Sequence, residues 1–269
     1  MITYEPVQYL FKIGNFKVEP EPVAMIFAFI VFMIYIYFSL KKEKSENINA
    51  KEFLKLILII IFSALAGGRI WYYAGNWQGI LALFDLRIEG LISIGMIIGG
   101  MVGLLIYISF FMKKDKKFNW QISFARISDI IAPAAALFIF IFRQFGCFLW
   151  GCVVGVTTTV PWGLYWEATD VIRHPTALYL SLSALFIFLI LRSFFGHEKT
   201  KKTRFGKRFD GEVGLWFLLL YCFNRFFIEF LRVGYYKYYG LNTVQWVCLG
   251  GIIILSVWLT AGYIILSKE

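Results

Sequence analysis

Seven apolar runs separated by polar stretches organise this chain of 269 residues, at about 22–40, 53–74, 91–112, 127–150, 176–196, 212–232 and 243–266. Each is close to the ~20 residues a helix needs to cross the hydrocarbon of a bilayer. The pattern predicts an all-α, polytopic integral membrane protein with about seven transmembrane helices in a single domain, 1–269. No polar stretch is long enough to form a separate soluble domain. Residues 1–20 are mixed and polar, without a basic segment ahead of a short apolar core, so they do not read as a cleaved signal peptide.

The polar loops then orient the bundle. "KKEKSENINAK" after the first run, "KKDKK" after the third and "HEKTKKTRFGKR" after the fifth carry four, four and six Lys/Arg. The alternate loops hold only Lys12, Lys17, Arg87, Arg173 and Lys237. Because Lys and Arg accumulate on the cytoplasmic side, the N-terminus is expected outside and the C-terminus in the cytoplasm. The expected location is the cytoplasmic (inner) membrane of a bacterium, crossed several times. An outer loop at about 151–175 joins the fourth and fifth spans; a loop of that length is often functional.

Composition supports this class. The chain is 59% hydrophobic and 16% charged, with a mean hydropathy of +0.70; ordinary globular chains are about 45–50% apolar and about 25% charged. The net charge of +10 sits mostly in the three basic loops, which points to membrane topology and anionic lipid and away from nucleic acid. The four cysteines, 147, 152, 222 and 248, lie in or beside apolar segments and read as small packing residues rather than a disulfide framework. No metal site or cofactor is expected from their spacing. The aromatic clusters "WYYAGNW" and "YYKYYG" read as interfacial anchors, and Gly-rich "GMIIGGMVG" as a close helix contact.

Ionisable residues inside apolar runs carry the functional signal, since each costs ~2.5–3.5 kcal/mol at a helix centre. They are Arg69, Asp129, Arg143, Arg225, Glu229 and Arg232. The last three are spaced to share a helical face, and Arg225 can pair with Glu229. The cations are all arginines and outnumber the acids. A planar guanidinium fork suits phosphate, and the simplest anion within a bilayer is a phospholipid headgroup. His174, in "RHPT" at the entrance of the fifth span, could start that helix, contact phosphate or act as a base. His197 falls among cytoplasmic lysines and is expected to be solvated.

The ordered set of motifs resembles the bacterial prolipoprotein diacylglyceryl transferase family. "AGGRIWYYAGNW", "DIIAPAAALF", "PWGLYW", "RHPTALY" and "RFFIEFLR" match its segments in order, and Gln245 falls where a family Gln follows. The resemblance implies transfer of a diacylglyceryl group from phosphatidylglycerol to the lipobox cysteine thiol of a prolipoprotein, with lipid, prolipoprotein and membrane as partners. The protein is expected to act as a monomer. The nucleophile belongs to the substrate, and arginines would hold the phosphate and the leaving group. On that resemblance Arg143, Arg225 and Glu229 are expected to be catalytic. Arg69, Asp129, Gln144, Arg173, His174, Arg232 and Gln245 are expected to bind substrate.

The signature "FRQFGCFLWGC" departs from the family's Gly-Arg-x-Gly-Asn-Phe-x-Asn-x-Glu by placing Cys147, Trp150 and Cys152 at the two Asn and the Glu. Counting from Asp129 puts Arg143 at the signature Arg, whereas counting back from Gly146 puts Gln144 there. Ile94 falls at the family's His/Tyr position, and Ala177 and Leu180 replace a Gln and a Glu. Two functions therefore stay open: a transferase, with its acceptor the same or altered, and a non-catalytic relative that binds phospholipid or a lipidated partner as a membrane subunit. A transporter is less favoured because no internal repeat is visible.

Overall fold

A computed structural model describes residues 2–13, 16–42, 50–75, 98–100, 102–103, 106–107, 120–151, 155–195, 202–203, 206–207, 209–233 and 237–267. Long helices dominate them: α1 (Pro20–Lys42), α2 (Ala50–Gly75), α3 (Trp120–Ile141), α4 (Thr176–Phe195), α5 (Glu212–Ile228) and α6 (Thr243–Leu266). Five windows are long and apolar enough to cross a membrane: Pro20–Ser39, Ala125–Phe148, Thr176–Ser193, Glu212–Leu231 and Thr243–Leu266. They match the first, fourth, fifth, sixth and seventh expected spans. α2 covers the second, and most of 91–112 lies outside the described residues. A helix is the solution the bilayer imposes, because lipid offers no hydrogen bonds to backbone groups. Consistent with that solvent, α6 exposes Val247, Ile253, Ile254, Val257, Trp258, Ile264 and Ile265.

The chain divides into two compact units, Met1–Glu43 with Phe124–Glu269, and Lys44–Ser123. In the second unit the Gly-rich stretch meets α2 closely. A Cβ at Gly99 would lie 2.1 Å from the Ser63 carbonyl oxygen, and one at Gly103 would lie 1.8 Å from Ser63 Oγ. Ser63 itself donates back to the Ile59 carbonyl at 2.5 Å, so its hydroxyl is satisfied within its own helix.

In the first unit, the core between α3, α4 and α5 is built on Ala132, Ala136, Ile187, Leu191 and Val213, with Phe188, Trp216, Phe217, Leu220 and Tyr221 against it. Small residues let the helices approach, and polar side chains bridge them. Asn224 Nδ2 donates to Ser183 Oγ at 2.7 Å, and Ser181 Oγ to the Phe140 carbonyl at 3.2 Å.

The spans are helical, as the sequence predicts, but the loops add short strands that an all-α reading omits. β1 (Ile2–Tyr4) runs parallel to β4 (Leu164–Trp166), which pairs antiparallel with β5 (Val171–Arg173). β2 (Phe11–Ile13) with β3 (Phe16–Val18), β6 (Lys202–Thr203) with β7 (Gly206–Lys207), and β8 (Lys237–Tyr238) with β9 (Leu241–Asn242) form two-stranded hairpins. Loop backbone needs partners too, and ladders between neighbouring loops supply them. Two isolated bridges, Gly155 to Arg232 and Thr157 to Arg173, lash the 155–157 segment between the end of α5 and β5.

Candidate functional site

The site forms where α5 ends. After Ile228 the helix tightens into a 3₁₀ turn, Glu229–Leu231. Arg225 Nη2 lies 2.9 Å from Glu229 Oε2, and Arg232 Nη1 lies 3.2 Å from the same oxygen. Arg232 Nη1 also donates to Glu229 Oε1 at 3.3 Å. The Glu229 side chain has no solvent exposure, while Arg225 and Arg232 keep 12% and 13% of theirs. One carboxylate thus holds two guanidiniums, both largely buried. Arg225 Nη1 is buried and has no partner among the described residues. A buried donor left unmade costs about 1–3 kcal/mol, more for a charged group, so this atom fits a site that awaits an anion.

Arg143 joins from a different element. At Phe142 the α3 helix widens into a π-helical segment, Phe142–Phe148, which carries Arg143, Gln144 and Cys147. Arg143 lies within electrostatic range of Arg225 and Arg232, and of Tyr221 and Glu21. Three guanidiniums therefore share one neighbourhood with Glu229 and Glu21. The Gln144 amide oxygen is buried beside Arg143 and also lacks a partner among the described residues.

The π-helical segment is pinned by the N-terminal strand. Tyr4 Oη donates to the Phe148 carbonyl, and Val7 N donates to the Leu149 carbonyl at 2.8 Å. Burial pushes the Tyr4 hydroxyl up to about 12, so it remains a protonated donor at physiological pH. Gly146 allows close contact with α1: a Cβ there would lie 3.3 Å from Ala24 Cβ. Gly151 adopts φ +73°, the left-handed region that glycine enters without penalty, and turns the chain out of the segment.

One expectation fails here. Cys147 is disulfide-bonded, whereas Cys222 and Cys248 are free thiols. A low cysteine density argues against a framework of bridges but says nothing about a single bond. Arg143 Nη1 donates to Cys147 Sγ at 3.1 Å. A weak, neutral acceptor thus faces this guanidinium, and the contact leaves its charge uncompensated.

The remaining expected residues fall in three places. Asp129, on α3, accepts from Gly211 N at 2.8 Å and Gly214 N at 3.0 Å, which caps the opposite end of α5. Gln245 closes a capping box at the start of α6. Its amide N donates to Asn242 Oδ1 at 2.8 Å, its Oε1 accepts from Asn242 N at 3.0 Å, and its Nε2 donates to the Phe226 carbonyl at 3.4 Å. Arg173 and His174 contact the same 155–157 segment that Arg232 bridges, with Arg173 Nη1 donating to the Gly155 carbonyl at 3.2 Å. Arg69 belongs to the other unit, where its guanidinium lies 5.7 Å from the Tyr73 ring centroid. His197, Ile94 and Cys152 lie outside the described residues.

Guanidiniums in this arrangement are chemically suited to hold an anion such as a phosphate. A sequence model described as prolipoprotein diacylglyceryl transferase matches residues 8–261.

The chain belongs to the prolipoprotein diacylglyceryl transferase family.

Curated relatives agree with that membership. The phosphatidylglycerol–prolipoprotein diacylglyceryl transferase of Clostridioides difficile (strain 630) is 31% identical over 219 residues, 80% of each chain. The protein of the same name from Finegoldia magna is 30% identical over 229 residues, 84% of each chain. The Thermotoga maritima protein of that name is 28% identical over 275 residues, 97% of this chain and 85% of its own. Sequence reasoning missed two neighbours of Arg143, Tyr221 and Glu21. Tyr221 stands four residues before Arg225, on the same face of α5, and that spacing was the available signal for it.

Proposed function

We propose that this chain transfers the diacylglyceryl group of phosphatidylglycerol to the cysteine thiol of a prolipoprotein lipobox. The observation that carries the reading is the buried Arg225–Glu229–Arg232 cluster, with Arg143 in its field and Arg225 Nη1 without a partner among the described residues. In the reaction, the substrate's sulfur attacks the glyceryl carbon that carries the phosphate ester. A C–S bond forms as the C–O bond breaks, the electron pair leaves on the phosphate oxygen of glycerol phosphate, and the thiol's proton ends on that phosphate. The arginines hold the phosphate in the ground state and meet the charge that grows on the leaving oxygen. Glu229 keeps two of them aligned, and its single charge leaves the pair net positive.

In the same proposal seven spans cross the bacterial cytoplasmic membrane, with the N-terminus outside and the basic loops in the cytoplasm. The arginine cluster then sits towards the outer leaflet. The protein acts as a monomer on lipid and prolipoprotein, without nucleic acid.

The test is direct. The purified chain, reconstituted in phosphatidylglycerol vesicles with a lipobox peptide, is expected to yield a peptide heavier by one diacylglyceryl group and one equivalent of glycerol phosphate. Absence of both products, in a preparation where the Clostridioides difficile relative forms them, would overturn the proposal. Retention of phosphatidylglycerol on the purified protein without product would favour the second reading, a lipid-binding membrane subunit. The specific observation on that side is Cys147, locked in a disulfide where the family pattern has an amide.

A further inference from the structure

The outer loop carries a hydrogen-bond chain that the transfer chemistry leaves unused. Trp162 Nε1 donates to the Tyr179 hydroxyl at 2.8 Å, and that hydroxyl lies 3.1 Å from Nδ1 of His174. The His174 and Tyr179 ring centroids are 6.0 Å apart. An indole N–H only donates, so the Tyr179 oxygen accepts from Trp162 and keeps its own proton to give. His174 Nδ1, 3.1 Å away, is placed to accept that proton when the ring carries its own on Nε2. Phenol is the stronger acid of the two groups and imidazole nitrogen the stronger acceptor. With Nδ1 receiving a hydrogen bond, the proton of the neutral ring sits on Nε2. His174 is thereby set up to donate a hydrogen bond rather than to take a proton.

The backbone brings this donor towards the arginines. Gly155 bridges to Arg232, and the next residue, Val156, donates its N–H to the Leu231 carbonyl at 2.9 Å and accepts from His174 N at 3.1 Å. A Cβ at Gly155 would lie 2.2 Å from the His174 carbonyl oxygen and 2.9 Å from His174 Cβ. Gly155 therefore lies in backbone contact with both Arg232 and His174, which leaves no room for a side chain between them. A long guanidinium arm and an imidazole so placed can share one phosphate.

We propose that His174 donates its Nε2–H to an anionic oxygen of the lipid headgroup phosphate, and that Tyr179 and Trp162 are positioning residues that fix the donating tautomer. The proposal rests on the lipid-transfer reading for the identity of the anion.

The chain has two histidines, 174 and 197, so a His197→Asn protein holds a single imidazole. Its ¹⁵N spectrum in lipid nanodiscs is expected to show protonated Nε2 and bare Nδ1, with the Nε2 signal moving when phosphatidylglycerol replaces phosphatidylcholine. Adding Tyr179→Phe should mix the two tautomers. In the transfer assay His174→Gln, whose amide nitrogen reaches the Nε2 position, should stay within about ten-fold of wild type in kcat/KM, whereas His174→Asn, which mimics Nδ1, should fall further. Tyr179→Phe should raise KM about three- to ten-fold, the size of one hydrogen bond, with kcat little changed. A protonated Nδ1, a spectrum indifferent to phosphatidylglycerol, or equal loss in the Gln and Asn variants would overturn the proposal. If the wild type transfers nothing, the functional reading fails alone, because the spectra report tautomer and anion contact without turnover.

Discussion

The two ends of α5 bury charge in opposite ways. At its N-terminal end the Asp129 carboxylate accepts two backbone N–H groups of the helix's first turn, and Arg126 pairs with Asp210 at 3.2 Å beside it. Each charge there has a partner, and the helix N-terminus itself favours the anion. At the C-terminal end Glu229 is outnumbered by Arg225 and Arg232, Arg143 adds to the surplus, and a guanidinium N–H is left buried without a described partner. Both ends carry a desolvation cost, and at the first two backbone N–H groups offset it for the Asp129 carboxylate. The lesson is that a buried charge marks structure when its hydrogen bonds close, and marks a ligand site when they stay open.

Substitutions at the two ends should separate on that axis. In the proposed reaction Arg225 faces the leaving group, so Arg225→Ala should lower transfer by about 10²–10³-fold in kcat, measured as lipidated peptide per folded protein. Glu229→Ala leaves two guanidiniums facing each other and should lower stability by about 3–5 kcal/mol, read by thermal unfolding in detergent. Asp129→Ala should cost about 2 kcal/mol or more of stability, yet the folded fraction should keep its turnover number. A turnover lost in step with Arg225→Ala would erase the distinction between the ends. Gly155→Ala drives a methyl into the His174 backbone, so the loop must shift; unfolding temperature should fall, and kcat/KM of the folded fraction should drop about ten-fold. Smallest, Gln245→Ala opens the α6 capping box and should reduce stability by about 1 kcal/mol.

Much of this molecule was legible in the sequence, and the boundary has a physical cause. Hydrophobic run length located the spans because the bilayer fixes helix length. The spacing of Arg225, Glu229 and Arg232 located the ion cluster because helix geometry is local. Asp129 was marked correctly as a costly buried acid, but its partners are backbone N–H groups 82 and 85 residues away, which spacing cannot reveal. Gln245 was assigned by resemblance to substrate, although Asn242-x-x-Gln245 before an apolar run was itself a readable capping signature. The Trp162–Tyr179–His174 chain joins two motifs noted separately, and only the fold of the outer loop brings them together.

The π-helical segment has one more consequence. The two ways of placing this chain against the family signature, from Asp129 forward or from Gly146 backward, differ by a single residue. A π turn holds about one residue more than an α turn and is the usual way a helix absorbs an insertion without disturbing either flank. Phe142–Phe148 is such a wider turn, with the Asp129 cap upstream of it and the Gly146 contact on α1 within it. Arg143 and Gln144 both lie there, so the side-chain direction of each is set by π rather than α geometry.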